Sequence, residues 1–259
     1  MKYGFRTNFT VDTIQNINYA LHYQKGKEIF DKQNKQIAES VAQYEIQKNT
    51  LSVKKIEADY FPIPDNIDVF ISHSHKDLNF AIAFAGCLKY YLGLNCFIDS
   101  CLWNNVDDLM RIVANEYCVM EKYENGIPKT YGYDSINKAS SNVHMILSMA
   151  LTNVINKSEV FCFIGTENSA TFKETMTGGM AKTFSPWIYL ELMISKLLSK
   201  DKEYFKRIAS NFSDSPQFQY EVLDTKHLFV LTDEKFEVFI NSPLIKKDAI
   251  MNLFDILDK

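Results

Sequence analysis

Glu191 is the residue whose position is hardest to explain as packing alone. The stretch Ser185 to Leu198, SPWIYLELMISKLL, carries the marks of an amphipathic helix. Ser185 can cap the first turn by accepting an orphan N–H, and Pro186 suits the first helical position, where a missing N–H costs nothing. At roughly 100° per residue, Trp187, Leu190, Ile194, Leu197 and Leu198 share one face. Glu191 sits inside that apolar arc. A buried carboxylate is costly unless it is paired or used. Two readings follow: a side chain that swings to solvent or a lysine, or a cleft carboxylate held for electrostatic or acid–base work. Trp187, one turn earlier on the same face, either packs in the core or lines a pocket and stacks on a flat ring.

Other residues able to do chemistry lie near the ends of expected strands. His73 and His75, in DVFISHSHKD, alternate as on a strand and are expected to share a face, as surface or loop histidines or as bases. Asp99 closes LNCFIDS as a turn residue or an organiser of a loop or ligand. Trp103 is an anchor on a loop or a shelf for a flat ring. Glu167 ends a third apolar strand and is the runner-up carboxylate. His144, in NVHMILSMAL, reads as a core-edge histidine bonded to backbone.

The elements that position these residues alternate. Ile67–Ser72, Leu94–Ser100, Glu159–Thr166 and His227–Thr232 are short runs apolar on both faces, as in a buried parallel sheet. Between them, Leu78–Gly93 with its glycine stop, Ser140–Ser158, the Ser185 helix and a last helix over Lys246–Leu257 have helical spacing. Alternation of this kind predicts an α/β fold with helices on both faces of a parallel sheet. Two segments interrupt it, residues 104–139, with a hairpin turn at Asn125-Gly126, and 167–184, with Gly178-Gly179. Both leave from strand carboxyl ends, where open α/β sheets build ligand sites.

Upstream, residues 1–60 read as a helical extension. Ile14, Ile17 and Leu21, then Phe30, Ile37, Val41, Tyr44 and Leu51, suggest a helical pair or a short coiled coil. The two prolines of DYFPIPDN make a linker before the main domain, residues 61–259.

Composition narrows the partners. A net charge of −4 argues against nucleic acid, whose binding needs a positive field. No apolar run approaches the ~18 residues that span a bilayer, and the first residues lack the apolar core of a secretory signal. The five cysteines make no CxxC pair and no zinc spacing with histidine, so no metal is expected and free thiols in a cytoplasmic setting are.

DVFISHSHKD, GLNCFIDS and SPWIYLE, in that order, resemble the Toll/interleukin-1 receptor (TIR) domain family, in its bacterial rather than its animal form. The resemblance spans Ile67 to the C-terminus. It implies a flavodoxin-like parallel sheet and NAD+ as a substrate rather than a cofactor. The implied reaction is nicotinamide release, giving ADP-ribose or a cyclic or conjugated messenger, as in Thoeris-like antiphage defence. It makes Glu191 the catalytic carboxylate of a WxxxE-type motif with Trp187. Ser72, His73, Ser74 and His75, and the loop from Asp99 through Trp103, become the nucleotide pocket. It also implies homo-oligomerisation on activation and a separate effector that answers the product. Some members place arginines where this chain has Ser74 and His75, so the resemblance implies a weaker or differently built phosphate field unless Lys76 or a loop lysine substitutes. Two other readings stay open: a non-catalytic TIR–TIR interaction module, and an enzyme transferring ribosyl groups between bases on a similar sheet.

Overall fold

The computed structural model describes residues 3–8, 13, 18–33, 42–169, 171–173, 180–183, 185–199, 220–223, 225 and 227–257; of these, the side chains of Tyr3, Trp103, Asn104, 171–173, 180–182 and 220–223 lie outside the description. In chain order the first elements are strand β1 (Tyr3–Thr7), helix α1 (Tyr19–Gln33), the strands β2 (Glu45–Gln47) and β3 (Thr50–Leu51), and helix α2 (Val53–Tyr60). Then come β4 (Val69–Ser72), α3 (Leu78–Leu92), β5 (Cys96–Ile98), α4 (Ser100–Tyr117), the strands β6 (Val119–Lys122) and β7 (Pro128–Tyr131), and α5 (Tyr133–Lys157). The chain continues with β8 (Val160–Ile164), β9 (Thr171–Lys173), β10 (Met180–Thr183), α6 (Pro186–Leu198), β11 (Tyr220–Leu223), β12 (Phe229–Leu231), α7 (Asp233–Ile240) and α8 (Lys246–Leu257).

Two compact units result. The larger comprises residues 1–32, 66–99 and 155–259, the smaller 33–65 and 100–154. The larger unit is built on a five-stranded parallel sheet of order β12-β1-β8-β4-β5, flanked by helices in a flavodoxin-like α/β arrangement. The strands β4, β5 and β8 are buried along their whole length, as parallel strands covered on both faces must be. One face carries a row of stacked rings, Phe97, Phe70 and Phe161, with centroids 6.1 and 5.8 Å apart. Adjacent β1 presents Gly4 opposite Phe161. A Cβ there would lie 2.5 Å from Leu228 Cδ2, so the glycine leaves that space to leucine.

The expected extension over residues 1–60 is therefore divided. Its first residues form a central strand of the sheet, because Phe5 and Thr7, both buried, fill one face of β1. Residues 19–33 are helical as expected. Ile14, Ile17, Ile37 and Val41 lie outside the described residues, and the heptad does not continue as helix where it is described: Tyr44 ends a 3-10 turn and Leu51 ends β3. At the end of the proline-bearing segment, between Asp65 and Asn66, the chain passes from the smaller unit to the larger.

α3 is buried from Phe80 through Leu88. It ends at Gly93, whose φ of 67° is left-handed and whose N–H returns to the Lys89 and Leu88 carbonyls, a glycine C-cap. The five cysteines are free and buried, and burial pushes the Cys87 thiol up to about 12.

In the smaller unit the expected interruption at 104–139 is mostly regular structure. Asp99 is followed at once by α4, because Leu102, Val106, Leu109 and Val113 recur at helical spacing and are buried. The Asn125-Gly126 turn joins β6 to β7, with Gly126 at φ 80° and a Tyr123 N–H to Ile127 carbonyl bond of 2.8 Å. A cavity of about 280 Å³ opens in this unit, lined chiefly by Leu51, Ile56, Leu109, Val113, Val143 and Ile146. Among the described residues, no helix is long and apolar enough to cross a membrane.

Candidate functional site

The carboxyl ends of β4, β5 and β8 converge with the first turns of α6. β4 ends at Ser72, fully buried, whose hydroxyl donates to Glu191 Oε2 at 2.5 Å. Glu191 has 0 % exposure, so it does not swing to solvent; the helix aims it at the strand ends. Its other oxygen, Oε1, is buried and accepts no hydrogen bond among the described residues. α6 is placed for this by its own N-terminus. Ser185 Oγ accepts the Ile188 N–H at 3.3 Å and Pro186 opens the helix, both as the sequence predicts.

Asp99 follows β5 directly and is 2 % exposed. Its Oδ2 accepts the His73 backbone N–H at 3.1 Å, and its Oδ1 lies 2.5 Å from His73 Nδ1. Its own N–H donates to the Ile71 carbonyl at 3.1 Å, tying the ends of β4 and β5 together. Asp99 therefore bridges His73 to Glu191. Burial first, then the negative charge of Asp99 and a hydrogen bond shared with it, hold the Glu191 carboxyl well above the usual range; the Ser72 hydroxyl pulls the other way. Two carboxyl groups so close and so dry cannot both ionise cheaply. Burial and the like charge of Asp99 therefore favour the neutral form of the Glu191 carboxyl.

A second cluster fixes the loop after β8. Asp77, 8 % exposed, accepts the Thr166 hydroxyl at 2.5 Å and the Asn168 amide at 2.8 Å. Ser169 Oγ donates to the Ile164 carbonyl at 2.8 Å, and Thr183 Oγ1 links Ser169 to Ser185 by accepting the Ser185 N–H at 3.1 Å. This chain of short side chains carries strand-end geometry to the α6 N-terminus. Asp77→Ala is expected to cost about 1 kcal/mol, the loss of two hydrogen bonds to partly exposed donors. Hydrogen exchange should accelerate selectively over residues 165–169.

Of the residues singled out from sequence, Ser72, His73, Asp99 and Glu191 meet. Ser74 is half-buried and accepts the Asp77 N–H at 2.8 Å as the lead into a 3-10 turn over His75–Asp77. That turn ends the strand alternation, so His73 and His75 do not share a face: His73 is buried on Asp99 and His75 is exposed, as is Lys76. Trp187 is half-buried in the first turn of α6. Trp103 belongs to α4 and its side chain lies outside the described residues; the loop expected there is a helix. Glu167 is exposed on the turn after β8, so the runner-up carboxylate does not join Glu191. Gly178 and Gly179 lie outside the described residues. His144 is exposed on α5 with Nδ1 3.1 Å from Ser140 Oγ, not at a core edge, and Met145 beside it is 62 % exposed. Sequence reasoning missed the Asp77 clamp, although Thr166 and Asn168 in GTENS carried a turn signal.

The site and fold define a class: an α/β protein with a carboxyl group buried at the carboxyl edge of a parallel sheet, where such folds bind ligands. No protein-family model, no curated protein and no solved structure matches the chain.

Proposed function

We propose that this protein cleaves NAD+ at the nicotinamide–ribose bond, with Glu191 as the catalytic carboxylate, in the manner of the bacterial TIR domains its motifs resemble. One observation carries the reading: Glu191 lies wholly buried against Ser72 and beside Asp99 at the strand ends. A carboxyl group kept neutral by burial and a like charge ionises when a cation is placed against it. The pyridinium of NAD+ is such a cation, and the ribose left behind is another, since breaking a glycosidic bond builds oxocarbenium-like charge. Ser72 favours the ionised form. The anion then stabilises the ribose cation in a site already stripped of water, while nicotinamide leaves without a general acid. Water entering at the ribose carbon gives ADP-ribose and a proton; capture by a hydroxyl or base of the same molecule gives a cyclic product for a separate effector. Mass spectrometry of the protein incubated with NAD+, beside Glu191→Gln, tests this. Glutamate-dependent nicotinamide supports it, and equal turnover by both proteins refutes it.

The second reading, an interaction module without turnover, is favoured by the smaller unit. Its β6–β7 hairpin exposes Met120, Tyr123 and Ile127 to 74, 56 and 56 %, an apolar surface of the kind that contacts proteins. Under that reading NAD+ stays intact at every protein concentration, and the chain self-associates.

A further inference from the structure

Register across the sheet brings a cation to the site that motif comparison did not supply. Ser72 pairs with Phe163, Phe163 with Arg6, and Arg6 with Val230. The four form one row on one face, because laterally paired residues of a sheet point the same way. The row lies at the carboxyl end: Ser72 is the last residue of β4, and Arg6 the last but one of β1. Arg6 thus stands two strands, roughly 10 Å, from Ser72 on the face where Ser72 meets Glu191.

The surroundings suit an anion. Arg6 is half-buried, and burial holds its guanidinium below the ordinary arginine value without removing its charge. A partly dried cation attracts an anion more strongly than one in water. The N-terminus of the thirteen-residue α6 is tied to the same strand ends through Thr183 and Ser169, which adds the positive end of a helix dipole. The loop after β8 is joined to β1 as well, since the Gly165 N–H donates to Thr7 Oγ1 at 3.3 Å.

We infer that Arg6 binds the diphosphate of the substrate, replacing the arginines absent at Ser74 and His75. The assignment rests on the NAD+ reading for its substrate and on the sheet register for its geometry. In a dinucleotide the diphosphate lies one ribose beyond the bond being broken, and the guanidinium fork matches two phosphate oxygens at once. The contribution comes from β1, the strand that the N-terminal residues add to the sheet. Arg6 is a binding residue, so its loss raises KM more than it lowers kcat.

The test uses the full chain and inorganic pyrophosphate, followed by calorimetry at low ionic strength, with ADP-ribose as a second probe. Wild type is expected to bind both. Arg6→Met, which keeps an unbranched apolar stem but no charge, should weaken pyrophosphate at least about tenfold, and Arg6→Lys less, because a point charge remains without the fork. Failure of wild-type protein to bind pyrophosphate overturns the inference, as does equal binding by Arg6→Met. Should Arg6→Met fail to fold, wild type and Arg6→Lys decide: unchanged affinity in the lysine variant overturns the fork, and a loss supports it. Binding through Arg6 without any NAD+ turnover would leave the diphosphate site standing and remove only the reaction.

Discussion

Glu191→Gln is expected to be inactive and more stable than the protein it replaces. The two effects have one source. Glutamine keeps the size of the side chain and can accept the Ser72 hydrogen bond through its amide oxygen, so the fold is preserved. It cannot become an anion. Nicotinamide release should therefore fall by about 10²–10³-fold or more, the usual consequence of deleting a preorganised electrostatic group. The stability change follows from linkage. In the folded protein the Glu191 carboxyl is held well above the usual range by burial and by Asp99. An unfolded glutamate loses its proton near pH ~4.3. For a raised carboxyl, the stabilising contribution is fully present below the unfolded value and is lost as pH rises through the folded value. Wild-type protein thus loses stability on going from about pH 4 toward neutrality, and Glu191→Gln loses none from this source. The difference in thermal midpoint should be smallest near pH 4 and grow with pH, each kcal/mol giving about 2–4 °C in a chain of this size. Parallel melting curves across that range check it. A wild-type advantage that is absent near pH 4 or below and grows toward neutrality would mean that Glu191 is held as an anion.

How far this was legible in advance depends on the kind of signal. β4, β5, β8 and β12 could be read because each is an apolar run too short for a helix. β1 could not, since YGFRT has a glycine where its neighbours have phenylalanine and an arginine near its end. Neither looks like a central strand until the partners are known: Leu228 occupies the space over Gly4, and Arg6 faces the ligand edge. The helix signals held wherever caps and periodicity agreed, at Ser185, Pro186 and Gly93. They failed after Asp99, where SCLWNN reads as a loop although the apolar positions that follow it continue a helix.

The site divides along the same line. Glu191 was visible as a carboxylate in an apolar arc, a contradiction within one helix. The upward push on its pKa was not, because that depends on burial in the fold and then on Asp99, which another strand brings alongside. His73 and His75 looked equivalent by alternation, and a 3-10 turn separates them by placing one on Asp99 and the other in water. One-dimensional spacing finds residues out of place in their own element; it does not find the neighbours that set their charge.

The largest stability loss is expected far from the carboxylate, at the crossing of α1 over α3. Gly86 lies mid-helix, where glycine costs about 1 kcal/mol relative to alanine. The reason for it is contact: a Cβ on Gly86 would lie 1.8 Å from the His22 carbonyl oxygen and 2.6 Å from the Gly26 amide nitrogen. Gly26 reciprocates, with a Cβ position 1.7 Å from the Ile82 carbonyl oxygen. Every obstacle at these distances is backbone except the Ile82 carbon beyond, so no rotamer change relieves the clash. Around the crossing His22 is buried, its ring 5.4 Å from Tyr90 and 5.3 Å from Tyr91. Overpacking of cores costs about 1–3 kcal/mol when side chains can yield. Gly86→Ala should reach or exceed the upper end even after the gain in helix propensity, lowering the thermal midpoint by about 6–12 °C. Gly93→Asn, at the left-handed C-cap of the same helix, meets only a side-chain carbon at 3.7 Å and should be nearly neutral, because asparagine tolerates that conformation. Circular dichroism melts of the two variants separate close approach from backbone freedom as the reason for each glycine. Unchanged stability would mean that the two helices do not cross at Gly26 and Gly86.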